Sequence, residues 1–218
     1  VTRKYLMKQS SKTLQINGAT LTLETGVLAA QATASVLGRM GDTMVVTTVV
    51  MGSKDSALSY FPLSVEYVER LYAGGRIKGS RWVKREGRPS DEAILTARMI
   101  DRSIRPLFPK ALKKDVQVII TVLSVDQENK PDILAAITTS AALAVSKIPW
   151  NGPIGTTRVG FVKKDENQEL IVNPLASEEE HLEMDLVVSS RNGKAVMIEA
   201  GAKQISEQVV IEGVQKAN

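Results

Sequence analysis

A segment that is apolar on nearly every side restricts the fold of this chain more than any other feature. Residues 133–148 read ILAAITTSAALAVSKI and directly follow Pro131 and Asp132, which are residues typical of a helix start. A helix without a polar face has to be covered by other elements on all sides. Its alanine and serine residues allow those elements to approach closely. The sequence therefore predicts a helix that is buried within the fold.

Strand patterns surround this segment. The first third of the chain alternates, is rich in β-branched residues and has a hairpin turn signal at Asn17-Gly18, so it predicts an antiparallel meander that extends to residue 68. One of its strands is expected at residues 27–36. Later strands are predicted at residues 116–125, 156–163, 169–172, 185–190 and 194–200, the last two on either side of Asn192-Gly193.

Two more helices complete the predicted order of elements. Ser90 before two acidic residues is a typical helix start, and Pro106 ends that helix. Residues 206–218 predict a further helix with three valines on one face. The order predicts an α+β fold of mixed α/β layers in a single domain.

Composition excludes several functional classes. The chain has no cysteine, which removes disulfides, thiolate zinc sites and cysteine nucleophiles, and its one histidine is His181. No apolar run is long enough to cross a membrane, and residues 1–20 lack the apolar centre of a secretory signal, so we expect a cytoplasmic protein without membrane contact. Glycine motifs of phosphate-binding loops and dinucleotide-binding folds are also missing.

A basic segment at residues 70–88, RLYAGGRIKGSRWVKREGR, holds seven basic residues and one acidic residue, in a chain whose net charge is +4. Tyr72 and Trp82 lie among these charges. Positive groups neutralise phosphates and aromatic rings stack on unpaired bases, so the segment predicts contact with single-stranded nucleic acid. A solvated loop without a ligand explains the charges equally well, although the position of Trp82 between cations favours binding.

Two further charged patterns each have two interpretations. Arg98, Arg102 and Arg105 share one helix face, which suits phosphate binding, but Asp101 lies four residues before Arg105, and ion pairing is the favoured interpretation of the residues alone. The acidic residues between 178 and 185 carry oxygen ligands suited to Mg²⁺, yet such runs are usually a solvated surface, which we favour here; Asp185 differs because it opens a strand.

The run AGGRIKGSRWVKREGRPSDEAILTARMIDRSIRPLFP at residues 73–109 closely resembles the first RNase PH-like domain of bacterial polynucleotide phosphorylases. Segments at residues 23–50, 61–70, 129–160 and 184–190 carry the same resemblance. It implies an RNase PH-like domain of β-α-β-α order over residues 14–218, after an N-terminal tail of residues 1–13. It also implies that the second RNase PH-like domain and the helical, KH and OB-type domains of that family lie outside this chain.

The resemblance implies part of a phosphorolytic enzyme. That family, the polyribonucleotide nucleotidyltransferases, shortens RNA from its 3′ end in mRNA decay and uses inorganic phosphate to release nucleoside diphosphates. Its members form trimeric rings and join RNA-degradation complexes, and their catalytic residues and Mg²⁺ or Mn²⁺ site belong to the second RNase PH-like domain. The resemblance thus implies a cytoplasmic homotrimer that binds single-stranded RNA, and a chain that is inactive alone and holds no metal.

Residue matches support the assignment of catalysis to the second RNase PH-like domain. The phosphate-binding serine pair of the second domain corresponds to Pro131-Asp132, its catalytic histidine to Thr96 and a metal-binding aspartate to Asp185, so no catalytic or metal-binding residue is assigned to this chain. A carboxylate at a helix start caps the helix but repels phosphate. The resemblance assigns RNA binding to Arg81, Trp82, Lys84, Arg85 and Arg88, and cleft-facing basic positions to Arg98, Arg102 and Arg105.

Two other functions stay open at this stage. One is a non-catalytic structural subunit of an exosome-like ring. The other is an autonomous phosphorolytic enzyme of the single-domain RNase PH type, and the missing serine pair and histidine argue against it.

Overall fold

The computed structural model of the chain describes residues 8–16, 18–77, 79, 87–164 and 167–218. These residues form ten strands in two sheets and four α-helices, which confirms the predicted α+β fold. Four predicted RNA-binding residues, Arg81, Trp82, Lys84 and Arg85, lie outside the described residues. Within the described part, no helix combines the length and apolarity needed to cross a membrane.

The first sheet has six strands in the spatial order β1-β2-β3-β4-β6-β5. Their bounds are β1 (Ser10–Ile16), β2 (Ala19–Thr25), β3 (Ala34–Met40), β4 (Thr43–Asp55), β5 (Leu63–Val68) and β6 (Lys114–Ser124). Strands β1 to β4 form the predicted antiparallel meander. Strand β1 begins within the segment that we predicted as a tail of residues 1–13.

The predicted strand at residues 27–36 is wrong in its first part, because residues 27–33 form a loop. Ala29 has a left-handed φ of 52°, and its carbonyl accepts a hydrogen bond from the Ala32 N–H at 3.0 Å, so the chain turns here instead of extending. The Ser35 hydroxyl then donates to the Leu28 carbonyl at 2.5 Å and holds this loop against β3.

Strand β5 does not continue the meander, as we had predicted, but pairs in parallel with β6 at the edge of the sheet. Helix α1 (Asp91–Ile104) lies between these two strands in the chain. Parallel neighbours need a crossover connection, and α1 supplies it by carrying the chain back to the end of the sheet at which β5 begins.

Helix α1 begins and ends where the sequence predicts. The Ser90 hydroxyl accepts a hydrogen bond from the Ala93 N–H at 3.0 Å, and Pro106 lies just beyond the last residue of the helix. The same hydroxyl donates to Oε2 of Glu69 at 2.8 Å. This second contact joins the two flanks of the basic segment.

Helix α2 (Pro131–Val145) is buried against the first sheet, as predicted. A Cβ atom at Gly38 of β3 would collide with the Thr138 methyl group, so the glycine permits the close approach of helix and sheet. The Thr138 hydroxyl lies 2.8 Å from the Thr47 hydroxyl of β4.

The second sheet is antiparallel, in the order β10-β9-β7-β8. Its elements are β7 (Gly155–Lys164), β8 (Asn167–Val172), the short helix α3 (Ala176–Glu179), β9 (Leu182–Arg191), β10 (Lys194–Ala202) and the covering helix α4 (Glu207–Ala217). The three valines of α4 pack on this sheet, which confirms the predicted apolar face. Asn192 and Gly193 both have positive φ, as the predicted hairpin turn requires.

Asp126 ties the turn between β3 and β4 to the segment that precedes α2. Its carboxylate accepts hydrogen bonds from the N–H groups of Asp42 at 3.0 Å, Glu128 at 2.9 Å and Asn129 at 2.7 Å. Burial alone would raise the pKa of Asp126, but these hydrogen bonds outweigh burial and lower the pKa well below its usual range.

Candidate functional site

A cleft of about 310 Å³ lies between α1, the start of α2 and the second sheet. Its lining residues are Glu92, Leu95, Thr96 and Met99 from α1, Lys130 and Asp132 from the start of α2, and Arg158, Asp185, Val187, Glu199, Ala200 and Gly201 from the second sheet. Thr96, Asp132 and Asp185 thus line the same cleft. These are the three positions that the sequence resemblance matched to a catalytic, a phosphate-binding and a metal-binding residue.

The side chain of Arg158 contacts three carboxylates at one side of this cleft. Its Nη2 lies 2.9 Å from Oδ2 of Asp132, its Nε lies 3.0 Å from Oδ1 of Asp185, and its Nη1 lies 3.5 Å from Oε1 of Glu179. The Arg158 side chain is only 10% exposed, and Lys130 pairs with the second oxygen of Glu179. We call these five residues the Arg158 cluster, and it connects β7 to α2, α3 and β9.

The neighbouring carboxylates keep Arg158 in its charged form. Burial alone would lower the pKa of the guanidinium, but the charges of Asp132, Asp185 and Glu179 raise it above its ordinary value. The guanidinium is therefore a permanent cation in the wall of the cleft.

The cleft as a whole is acidic. An adjoining lobe shares Glu92, Thr96, Lys130 and Asp132 with it, and adds Tyr67, Glu69 and Gln127 among its lining residues. The two lobes together are lined by five carboxylates, from Glu69, Glu92, Asp132, Asp185 and Glu199, and by two cations, from Lys130 and Arg158. This balance opposes the binding of inorganic phosphate or of an RNA phosphate.

The pKa of Tyr67 reflects the same negative charges. Burial, and after it the charges of Asp132, Glu69 and Glu92, raise the pKa of the Tyr67 hydroxyl far above its usual range. The hydroxyl is therefore neutral at physiological pH and adds no further charge to the cleft.

The residues of the cleft do not fit a divalent metal ion. Asp132, Glu179 and Asp185 contact three different nitrogens of the Arg158 guanidinium, so their charges are already paired with a cation of the chain. Within the described residues, no group of three or more His, Asp or Glu side chains is arranged to hold a metal. We therefore derive no metal-dependent step from this cleft.

The three arginines predicted to share one helix face, Arg98 and Arg102 of α1 and Arg105 directly after it, differ in their contacts. Arg102 pairs with Glu199 of β10 at 3.3 Å, and Arg105 makes a two-pronged contact with Asp101 at 2.5 and 2.6 Å. Arg105 also donates to the Leu63 carbonyl at 3.2 Å, so it fastens α1 to β5. The predicted pairing of Asp101 with Arg105 is confirmed.

Arg98 lines a groove between α1 and β5, with apolar side chains around it. Arg88 is exposed just ahead of α1, next to the part of the basic segment that lies outside the described residues. RNA binding by Arg88 stays a prediction, and so does the position of Arg98, Arg102 and Arg105 as basic residues that face the active-site cleft.

Sequence reasoning missed Arg158, and it misjudged part of the acidic residues at 178–185. Glu179 was predicted to lie on a solvated surface but pairs with Arg158. Asp185, which was set apart because it opens a strand, also pairs with Arg158, and Glu178 accepts a hydrogen bond from the Leu175 N–H at 2.8 Å. One signal was available, because Arg158 is the one charged residue among the apolar and small residues 156–162 of the strand predicted at 156–163. A charge in such a place requires partners of opposite sign.

Comparison with known proteins identifies the family. Residues 19–149 match the 3′ exoribonuclease family, domain 1, and residues 152–217 match the 3′ exoribonuclease family, domain 2. The chain therefore belongs to the 3′ exoribonuclease (RNase PH) family.

Its similar relatives include polyribonucleotide nucleotidyltransferases. The chain is 47% identical over 201 residues to that of Desulforamulus reducens, covering 92% of this chain and 26% of the relative. It is 49% identical over 203 residues to that of Heliobacterium modesticaldum, covering 92% and 28%. The chain spans about a quarter of the length of these curated relatives. The crystal structure of rice Rrp46 shares its fold, with a TM-score of 0.70, 15% identity, and coverage of 98% of this chain and 90% of the other.

Proposed function

We propose that this chain is the first RNase PH-like domain, residues 14–218, of a polyribonucleotide nucleotidyltransferase, and that it guides single-stranded RNA and builds the trimeric ring without performing phosphorolysis itself. The full enzyme would use inorganic phosphate, with Mg²⁺ or Mn²⁺ in its second RNase PH-like domain. It would work in the cytoplasm, with other RNA-degrading proteins as partners.

One observation carries the proposal that this part is not the catalytic one. Thr96, Asp132 and Asp185, the positions that the resemblance matches to reactive residues of the second domain, line one cleft. Carboxylates outnumber cations among the lining residues of this cleft, and Arg158 is paired with Asp132, Asp185 and the neighbouring Glu179. A phosphate ion would meet repulsion there and no free cation.

The guiding role is supported by the basic segment. Its charges suit contact with RNA phosphates, which gives affinity without sequence preference. Its flanks are held together by the hydrogen bond between Ser90 and Glu69, so the segment starts and ends at one place beside β5 and α1. The similarity to polyribonucleotide nucleotidyltransferases favours this function over a separate structural ring subunit.

The first experiment measures phosphorolysis of labelled poly(A) with Mg²⁺ and phosphate, using this chain alone at high concentration. We expect no release of nucleoside diphosphate, whereas a full-length polyribonucleotide nucleotidyltransferase under the same conditions serves as the positive control. Phosphate-dependent release by this chain would show that the cleft is catalytic and would overturn the proposal.

The second experiment tests RNA guidance in the full-length enzyme. Replacing Lys84, Arg85 and Arg88 by Ala should weaken RNA binding and reduce the salt dependence of the affinity, with a slope smaller by about 2 because three phosphate contacts to a single strand are lost. The matched control replaces the exposed Lys110, Lys113 and Lys194 by Ala, which removes the same charge elsewhere. Equal affinities and slopes for the two variants would refute the guiding role.

A further inference from the structure

The basic segment begins with an ordered turn. Residues Leu71–Gly74 form a short 3₁₀ helix just beyond β5. Ala73 is buried in the core, and its carbonyl accepts a hydrogen bond from the Val125 N–H at 3.1 Å. Gly75, with a left-handed φ of 67°, ends the turn and donates its N–H to the Tyr72 carbonyl at 3.0 Å. The backbone on both sides of Tyr72 is therefore held against the end of β6.

Tyr72 is the aromatic residue that this turn exposes. It is 59% exposed, although the residue next to it is part of the core. An aromatic ring carried by a fixed backbone loses little conformational entropy when a flat ligand stacks on it. The turn therefore presents the Tyr72 ring in a form that is ready for stacking.

The charges around the turn indicate which ligand suits this ring. Arg76 is exposed on one side of the turn, and Arg88 is exposed where the basic segment returns. The hydrogen bond between Ser90 and Glu69 brings the two flanks together. Tyr72 follows Glu69 within about 11 Å of chain, and Arg88 precedes Ser90 within about 7 Å. A polyanion is attracted to this surface, whereas a second copy of the same surface is repelled.

We propose that the Tyr72 ring is a stacking platform for a base of single-stranded RNA, with Arg76 and Arg88 on neighbouring phosphates. This inference rests on the proposed function and adds to it a contact with a base, made by a residue outside the predicted RNA-binding set. Phosphate contacts alone do not require a base, whereas stacking requires an unpaired one. Because every base has an aromatic face, the contact is compatible with RNA of any sequence.

The test compares two labelled ligands of equal length, oligo(A) and an abasic oligonucleotide, in binding to the full-length enzyme. Tyr72→Leu should bind oligo(A) about tenfold more weakly than the unchanged enzyme, since one stacked base is lost. Its affinity for the abasic ligand and the salt dependence of binding should be unchanged, because the variant removes no positive charge. Tyr72→Phe keeps the ring and should bind oligo(A) as the unchanged enzyme does.

Tyr60→Leu is the matched control. Tyr60 is 66% exposed, but it lies in a connection, residues 56–62, that contains no charged residue. This variant should bind both ligands as the unchanged enzyme does. The proposal would be overturned by unchanged oligo(A) affinity in Tyr72→Leu, by an equal loss for the abasic ligand, or by an equal loss in Tyr60→Leu.

Two further measurements separate the stacking role from the proposed function and from a subunit contact. If replacement of Lys84, Arg85 and Arg88 by Ala weakens binding of both ligands and Tyr72→Leu weakens neither, the guiding role stands and the stacking role is refuted. If only Tyr72→Leu weakens oligo(A) binding, the stacking role is supported and guidance by the cations is refuted. Sedimentation should give the same mass for Tyr72→Leu and the unchanged enzyme, and a smaller assembly would place Tyr72 in a subunit contact and overturn the proposal.

Discussion

Substitution of Gly38 by alanine tests how closely α2 packs on the first sheet. The added Cβ would overlap the Thr138 methyl group and would lie 3.1 Å from Cδ1 of Leu134. Thr138 is fully buried, and its hydroxyl is held by the Thr47 hydroxyl at 2.8 Å and by the Ala135 carbonyl at 3.0 Å. The methyl group therefore cannot rotate away while these hydrogen bonds are kept.

The expected magnitude follows from these contacts. Overpacking by one methyl group in a tight core costs about 1–3 kcal/mol, and loss of one buried hydrogen bond adds about 1 kcal/mol. Alanine in a strand gains less than about 1 kcal/mol over glycine through the entropy of the unfolded chain. Gly38→Ala should therefore lower the free energy of unfolding by about 2–3 kcal/mol.

Urea unfolding followed by circular dichroism measures this loss of stability. A double-mutant cycle tests whether the Thr138 methyl group causes it. Thr138→Ser removes the methyl group and keeps the hydroxyl, so Gly38→Ala should cost little in that background, with a coupling energy above about 1 kcal/mol. Gly155→Ala is the matched control, because its Cβ would meet no atom within 4 Å. An equal cost of Gly38→Ala with Thr138 and with Ser at that position would refute the reasoning.

Three further predictions concern single contacts. Asp126→Asn should lower stability at about pH 7 and flatten its decline in acid, because the folded pKa of Asp126 is depressed. The stabilisation by this carboxylate is present above its unfolded pKa of about 3.9 and is lost as the pH falls from there towards the folded pKa, so urea unfolding at about pH 7 and about pH 2.5 measures both effects. Ser90→Ala should cost about 1 kcal/mol in thermal unfolding, since the Ala93 N–H loses its cap, and Ser90→Thr, which keeps a hydroxyl for both Ala93 and Glu69, should recover most of that loss. Arg105→Met should cost less than about 1 kcal/mol in the same assay, because its pair with Asp101 is partly exposed to solvent, and a larger loss would mean that its contact with β5 dominates.

The sequence predicts those elements whose cause lies in neighbouring residues. The start of α1 depends on Ser90 and the residues directly after it, and the hairpin between β9 and β10 depends on Asn192 and Gly193. The pairing of β5 could not be predicted in this way, because the same alternation suits a parallel and an antiparallel neighbour. Which of the two forms depends on the path of the chain through α1.

The Arg158 cluster is the part of the candidate site that could not be predicted from the sequence. Asp132, Arg158, Glu179 and Asp185 belong to four different elements, and no spacing along the chain relates them. The resemblance matched Asp132 and Asp185 to separate functional residues and gave no contact between them. Their meeting at one guanidinium is a property of the packed fold, and it changes the expected role of the acidic residues at 178–185.

The hydrogen bond between Ser90 and Glu69 closes the base of the basic segment. The entropic cost of closing a loop rises only with the logarithm of its length, by about 0.6 kcal/mol for each doubling. A segment fastened at its base can therefore gain or lose residues at small cost, while β5 and α1 keep their positions. Insertions between residues 77 and 87 would lengthen the basic segment and leave Ala73, which is buried in the core, in its place.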